Sequence, residues 1–113
     1  MKEIKAIIQP FMLEKVLHAL DGLPDLPGVT VSQVLGWGRE RAAAVADAVQ
    51  ESGHAFARKT KLEIVVSDDL VSLVVQTISE SARTGRPGDG KIFVSDLTEV
   101  VKIRTGESNG AAG

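Results

Sequence analysis

The same order of apolar and polar positions occurs twice along this chain. Residues 3–9 form an apolar-rich run that predicts a strand, and Pro10 then turns the chain into a helix. In that helix Leu13, Val16, Leu17 and Leu20 recur at helical spacing and line one face. Pro10 suits a first helical turn, where its missing N–H costs little. The helix is expected to stop near Asp21 and Gly22, and residues 29–34 predict a second strand after the loop at 23–28. The second copy begins at residues 59–67, a strand with Ile64, Val65 and Val66 at its buried centre. Ser67 and Asp68 stand where a helix cap belongs, and Leu70, Val71, Val74, Val75 and Ile78 share one face of the helix that follows. That helix fades at Arg83, Thr84 and Gly85, and residues 91–95 predict a fourth strand. A final short strand is expected at residues 100–104, before a polar tail.

Laid over one another, residues 4–9 match 62–67, Val16 and Leu17 match Val74 and Val75, and Leu20 matches Ile78. Two strand–helix–strand units in one chain predict an α+β, ferredoxin-like double βαβ domain, with both helices on one face of an antiparallel sheet. The domain is expected to occupy residues 1–107, with 108–113 as a flexible tail. The strands are apolar in long runs, so the second sheet face also needs covering. A homo-oligomer meets that need better than a monomer with a half-wet sheet. Residues 39–58 show no strand pattern and form a long insertion with an Ala-rich middle, suited to folding against a partner. A solvated insertion without function is the plainer alternative.

Composition narrows the function classes. The chain has 113 residues, one domain's worth, and a formal charge of −2, which disfavours a nucleic-acid partner. It has no cysteine, which removes disulfides, thiolate ligands and a Cys nucleophile. The start of the chain offers neither a signal peptide nor a spanning segment, so the expectation is a soluble cytoplasmic protein without membrane insertion. His18 lies beside the apolar stripe of the first helix as a boundary residue. His54 with Glu51 or Asp47 does not reproduce zinc spacing, and no catalytic constellation is legible. The expectation is a non-enzyme with no metal centre.

The most informative segment is Gly-Arg-Pro-Gly-Asp-Gly-Lys at 85–91. It has the letter spacing of a phosphate loop, but a helix precedes it, a strand follows, and Ile92 stands where a magnesium-binding hydroxyl belongs. The hydrolytic reading therefore fails. Its physics survives, because glycines let consecutive N–H groups point at an anion while Lys91 and Arg86 add charge. Lys102 and Arg104, at i and i+2, would share one face of the last strand and help hold a polyphosphate. An ordinary tight turn with solvated bases is the equal alternative. Gly36 and Gly38 let backbone pass close to a flat ligand, with Arg39 in reach of a phosphate or ribose. Trp37 reads as a core or interface residue rather than a stacking platform.

Five segments carry a resemblance: Ala-Ile-Ile-Gln-Pro-Phe at 6–11, Val-Leu-Gly-Trp-Gly-Arg at 34–39, Leu-Glu-Ile-Val-Val at 62–66, Arg-Thr-Gly-Arg-Pro-Gly-Asp-Gly-Lys-Ile-Phe-Val at 83–94 and Ile-Arg-Thr-Gly-Glu at 103–107. Together they resemble the PII signal-transduction proteins, the regulators of nitrogen metabolism. The resemblance implies a homotrimer with ATP or ADP in the clefts between subunits, with or without Mg. It also implies that residues 39–58 are the family's T-loop, which docks on a target protein, a transporter or an enzyme. Carried over residue by residue, it places Thr30, Gly36, Gly38 and Arg39 in the nucleotide cleft and Gly88, Asp89, Gly90 and Lys91 in the phosphate-holding loop. Lys102 and Arg104 match two arginines that reach phosphates from the neighbouring subunit. Lys at the first position keeps the charge but loses the planar fork.

The long loop departs from the family. Ser52 replaces the tyrosine that many bacterial members have uridylylated, and the chain has no tyrosine at all. Glu40 matches the glutamine that helps hold magnesium and 2-oxoglutarate. A carboxylate there can ligate a cation but repels a dianionic keto acid. Lys59 matches the lysine that pairs with that acid, so 2-oxoglutarate keeps only half its site. These departures suggest a divergent branch, and a tie to metal transport instead of nitrogen is one alternative. A nucleotide-independent metal-binding or structural trimer is the other.

Overall fold

The computed structural model describes residues 1–37, 49–51 and 54–108. Its elements run β1 (Lys2–Ile8), α1 (Leu13–Asp21), β2 (Thr30–Gly36), β3 (Val49–Glu51), β4 (His54–Val66), α2 (Val71–Ala82) and β5 (Gly90–Asp96). The main sheet is antiparallel in the order β2-β4-β1-β5, which is the ferredoxin-like arrangement the repeat predicted. The two central strands are the first strands of the two repeats, paired with Ile4 opposite Ile64 and Ala6 opposite Leu62.

That register is fixed by side-chain alternation, since a slip of one residue would send every buried side chain to the other face. Ile4, Ala6 and Ile8 of β1, with Leu62, Ile64 and Val66 of β4, pack under Val16 and Leu20 of α1 and Val74, Ile78 and Ala82 of α2. Burying each large aliphatic side chain here stabilises the fold by about 1.5–3 kcal/mol before entropy is counted. Thr60 lies in the same layer, fully buried, and its hydroxyl donates to Gln33 Oε1 at 3.1 Å.

The opposite sheet face carries Glu3, Lys5, Ile7, Lys59, Lys61, Glu63, Val65 and Lys91, by the same alternation. The apolar runs thus place one residue on each face in turn: Ile8 and Ile64 are buried, while Ile7 and Val65 are only half-buried in the single chain.

Three expectations are corrected. Pro10 opens a 3-10 turn (Pro10–Met12) that feeds α1, and a second such turn (Asp68–Leu70) feeds α2. Ser67 stands extended at the start of the latter but makes no side-chain cap; its hydroxyl donates instead to Asp69 Oδ1 at 2.6 Å. Within residues 39–58 there is strand after all. β4 begins at His54 and pairs with β3 in a hairpin, so the strand expected to start at residue 59 starts five residues earlier. The Ala-rich stretch at 42–49, expected to favour helix, falls outside the described residues except for Val49. The remaining loop positions, 38–48 and 52–53, lie outside the described residues.

The third correction concerns residues 100–104, which form no strand. Val101 bridges to Ser108, and between them the chain turns back, with Lys102 N donating to Glu107 O and Gly106 N to Lys102 O, each at 2.8 Å. Gly106, at φ +75°, permits that reversal.

Candidate functional site

At the sheet end where β1 stops and β5 begins, the glycine-rich segment 85–91 bends over the open face. Its shape comes from Asp89. The carboxylate accepts the amide N–H of Thr84 at 2.8 Å and of Gly85 at 3.0 Å on Oδ2, and the Thr84 hydroxyl on Oδ1. The amide of Arg86 in turn donates to Thr84 Oγ1 at 3.2 Å. The consecutive N–H groups that the glycines were expected to aim at an external anion therefore hold an anion already, the chain's own carboxylate. These bonds, the Thr84 hydroxyl's first, hold the Asp89 carboxyl below the usual range, with help from the Lys59 charge.

The turn uses left-handed backbone at Gly85, Gly88 and Gly90, with φ +85°, +91° and +108°. Gly90 is also pressed against β1: a Cβ there would stand 1.7 Å from the Ile7 carbonyl oxygen. The glycines thus serve turn geometry and the close approach of two strands.

Lys59 reaches this turn from β4, and its Nζ donates to Gly88 O at 2.7 Å. Gly36, across from Ala57 on the neighbouring strand, lies beside the same lysine; a Cβ on it would touch Lys59 Cγ at 3.5 Å. Lys91 stands opposite Ile7 on the open face and is exposed. Gly36, Lys59, Gly88, Asp89, Gly90 and Lys91 are therefore gathered at one end of the sheet.

Thr30 is not with them. It pairs with Glu63, four residues along β4 from Lys59 and so about 13 Å away. There it lines a separate cavity of about 390 Å³ with Glu3, Pro27, Gly28, Glu63, Val65 and Val100. Lys102 and Arg104 are exposed in the 102–107 turn rather than alternating on a strand, as they were expected to do. Gly38, Arg39, Glu40 and Ser52 lie outside the described residues, as does Asp47, and nothing is described of the side chains of Glu51 and His54. Among the described residues no group of three or more His, Asp or Glu side chains is placed to hold a metal ion.

Residues 1–107 match the family model described as Nitrogen regulatory protein P-II. A Nitrogen regulatory protein P-II of Bradyrhizobium diazoefficiens is 47% identical over 108 residues, covering 96% of each chain. That of Klebsiella oxytoca and the Nitrogen regulatory protein P-II 1 of Escherichia coli K12 are each 46% identical over 112 residues, covering 99% of each chain. The chain belongs to the P-II family. P-II proteins are signal-transduction regulators, and the resemblance carried by segments 6–11, 34–39, 62–66, 83–94 and 103–107 is thereby shown. Among the described residues of this P-II chain no helix is long and apolar enough to cross a membrane.

Several residues at these sites escaped the sequence reading. Thr84 reads in the sequence as the end of a helix and as part of the 83–94 segment, without a role of its own, although a hydroxyl five positions before Asp89 is the available signal. Glu63 and Val65 read only as strand residues and Gly28 only as loop, because the cavity that joins them to Thr30 depends on strand register.

Proposed function

We propose that this P-II chain is a homotrimeric regulator that binds ATP or ADP between subunits and controls a target protein, a transporter or an enzyme, through residues 39–58. One observation carries the reading: Lys59 is held on the Gly88 carbonyl, so that Lys59, Lys91 and the glycine turn meet at one end of the open sheet face while Thr30 stands at the other. A polyphosphate fits the first end. Two lysines and Arg86 supply charge, and the Asp89 carboxylate that would repel it is already occupied by hydrogen bonds within the turn. Glu3 and Glu63 make the Thr30 cavity unsuited to phosphate and better suited to the uncharged part of a nucleotide.

With the two ends about 13 Å apart in one chain, a second copy completes the site. It also covers the half-buried Ile7 and Val65 of the open face. Lys102 and Arg104 extend from such a neighbour to the phosphates, with Gly36, Gly38 and Arg39 flanking the ligand from the turn's own subunit. Mg accompanies the phosphates where Glu40 can ligate it; the same carboxylate disfavours 2-oxoglutarate. The domain is read as residues 1–107, with Ser108, the first residue of the expected tail, still bridged to Val101. Cytoplasmic targets in nitrogen metabolism suit the family.

Calorimetric titration with ATP, ADP and AMP tests this reading. ATP and ADP are expected to bind below millimolar concentration, and Lys91→Ala to weaken them about tenfold or more, the scale of one charge-assisted hydrogen bond. No heat of binding from either nucleotide would refute it.

A further inference from the structure

Resting on that reading, we propose that Thr84 and Asp89 are positioning residues: they shape the glycine turn for a polyphosphate without touching it. Asp89 sits inside the segment that resembles a phosphate-holding loop, and its charge is of the wrong sign for that task. The structure gives it another. One carboxylate oxygen takes two backbone amides and the other takes the Thr84 hydroxyl. That hydroxyl completes the set by accepting from the Arg86 amide.

The consequence for a ligand is a division of the turn into two halves. The amides of Thr84, Gly85 and Arg86 are consumed by the clamp, and Pro87 has no N–H to offer. The next donor along the chain is the Gly88 amide, which makes no hydrogen bond among the described residues. It lies in the same residue whose carbonyl receives Lys59. The clamp thus ties down the first half of the turn and presents the second half, with Lys59 and Lys91, to an incoming phosphate. The left-handed conformation at Gly85 and Gly88 is compatible with this arrangement at no steric cost.

Chemistry defines the informative variants. Asp89→Leu keeps the approximate shape and accepts nothing, so all three bonds are lost; Asp89→Asn would not serve, since its oxygen can still take the two amides while its NH2 donates to Thr84 Oγ1. Thr84→Val keeps the volume and removes the hydroxyl that both gives and receives. Thr84→Ser keeps the hydroxyl and serves as the conservative rescue.

The experiment combines ATP calorimetry with amide hydrogen exchange of the ligand-free chain. In the wild type the amides of Thr84, Gly85 and Arg86 are expected to be protected despite their exposed position. Asp89→Leu should lose protection at the Thr84 and Gly85 amides and Thr84→Val at the Arg86 amide, and both should bind ATP about ten- to a hundredfold more weakly, with melting temperatures close to wild type. Thr84→Ser should stay within about threefold of wild type in affinity. If ATP binds and Asp89→Leu or Thr84→Val binds it as well as wild type does, the positioning role is overturned and the nucleotide reading stands. If the three amides exchange freely in the wild type, the clamp itself is overturned. If they are protected but ATP does not bind, the nucleotide reading fails and the clamp is a fold element only, which also refutes the positioning role.

Discussion

Gly90→Ala is the substitution for which the structure predicts the largest cost per atom added. Gly90 opens β5 opposite Ile8, at φ +108°. The new methyl carbon would stand 1.7 Å from the Ile7 carbonyl oxygen and 2.8 Å from the Ile7 carbonyl carbon. Both are backbone atoms, so no side-chain rotation relieves the contact. Reaching even 3.0 Å requires β1 and β5 to part by about 1.3 Å, enough to break N–H···O bonds that tolerate only a few tenths. Losing roughly two ladder bonds removes about 2 kcal/mol. Holding a non-glycine residue at this φ adds about 1–3 kcal/mol. The total, about 3–5 kcal/mol, is a large part of the roughly 5–15 kcal/mol that holds a domain folded.

Thermal unfolding followed by circular dichroism reads this as a fall of about 12–20 °C in melting temperature. All chains must be compared at one protein concentration, because assembly raises apparent stability by mass action. Two controls separate clash from backbone strain. At Gly106, φ is +75° with no heavy atom within 4 Å of the added carbon, so alanine should cost only about 1–2 kcal/mol. At Gly28 the space is open and φ lies outside the left-handed range, so alanine should change stability by less than about 1 kcal/mol. A Gly90→Ala melting temperature within about 4 °C of wild type, or a larger loss at Gly106 than at Gly90, would refute the reasoning.

Acid and alkaline limits follow from two exposed sites. Asp89 is held below the usual carboxylate range by Thr84, and Asp96 by its hydrogen bond and charge pairing with Lys2. Groups depressed in the folded state stabilise above the unfolded carboxylate value of about 3.9 and lose that contribution as pH falls through the lower folded value. Denaturation measured from pH 6 to 2 should therefore show a shallower acid loss for an Asp89→Asn, Asp96→Asn double variant; an unchanged slope would contradict this. Lys2 is raised, chiefly by its hydrogen bond to Asp96. Its contribution is present below the unfolded lysine value of about 10.4 and lost as pH rises through the folded one. Lys2→Met should flatten the alkaline limb of the same measurement.

Periodicity made most of the fold legible. Val16 and Leu20, or Val74 and Ile78, repeat at helical spacing because each helix buries one stripe against one sheet. Ile4, Ala6 and Ile8 alternate because only one face of β1 meets those helices. What periodicity could not reveal depended on pairing between segments. The alternating apolar and charged residues of 100–104 look like a strand, yet among the described residues their one ladder partner is a bridge from Val101 to Ser108, and Gly106 turns them back. β3 and the start of β4 look like helix or loop because their strand character lies in a ladder with each other rather than in β-branched residues. At the candidate site, charge and glycine content single out the 85–91 turn, and the structure brings Lys59 to it. The role of Asp89 stayed hidden because a carboxylate in a phosphate-loop pattern gives no sign that it folds back on Thr84.

Subunit mixing tests most directly whether nucleotide is held between copies of this chain. One chain would carry Lys59→Ala and Lys91→Ala, removing the turn's half of the site, and the other Lys102→Ala and Arg104→Ala, removing the neighbour's half. Each alone should form trimers that bind ATP weakly or not at all. Co-expressed under two tags, they should assemble trimers in which about one site in four joins two intact halves in the same cyclic sense and binds ATP with wild-type affinity. The contrary result is a mixture with no wild-type site, or a Lys102→Ala, Arg104→Ala chain that binds ATP as the wild type does.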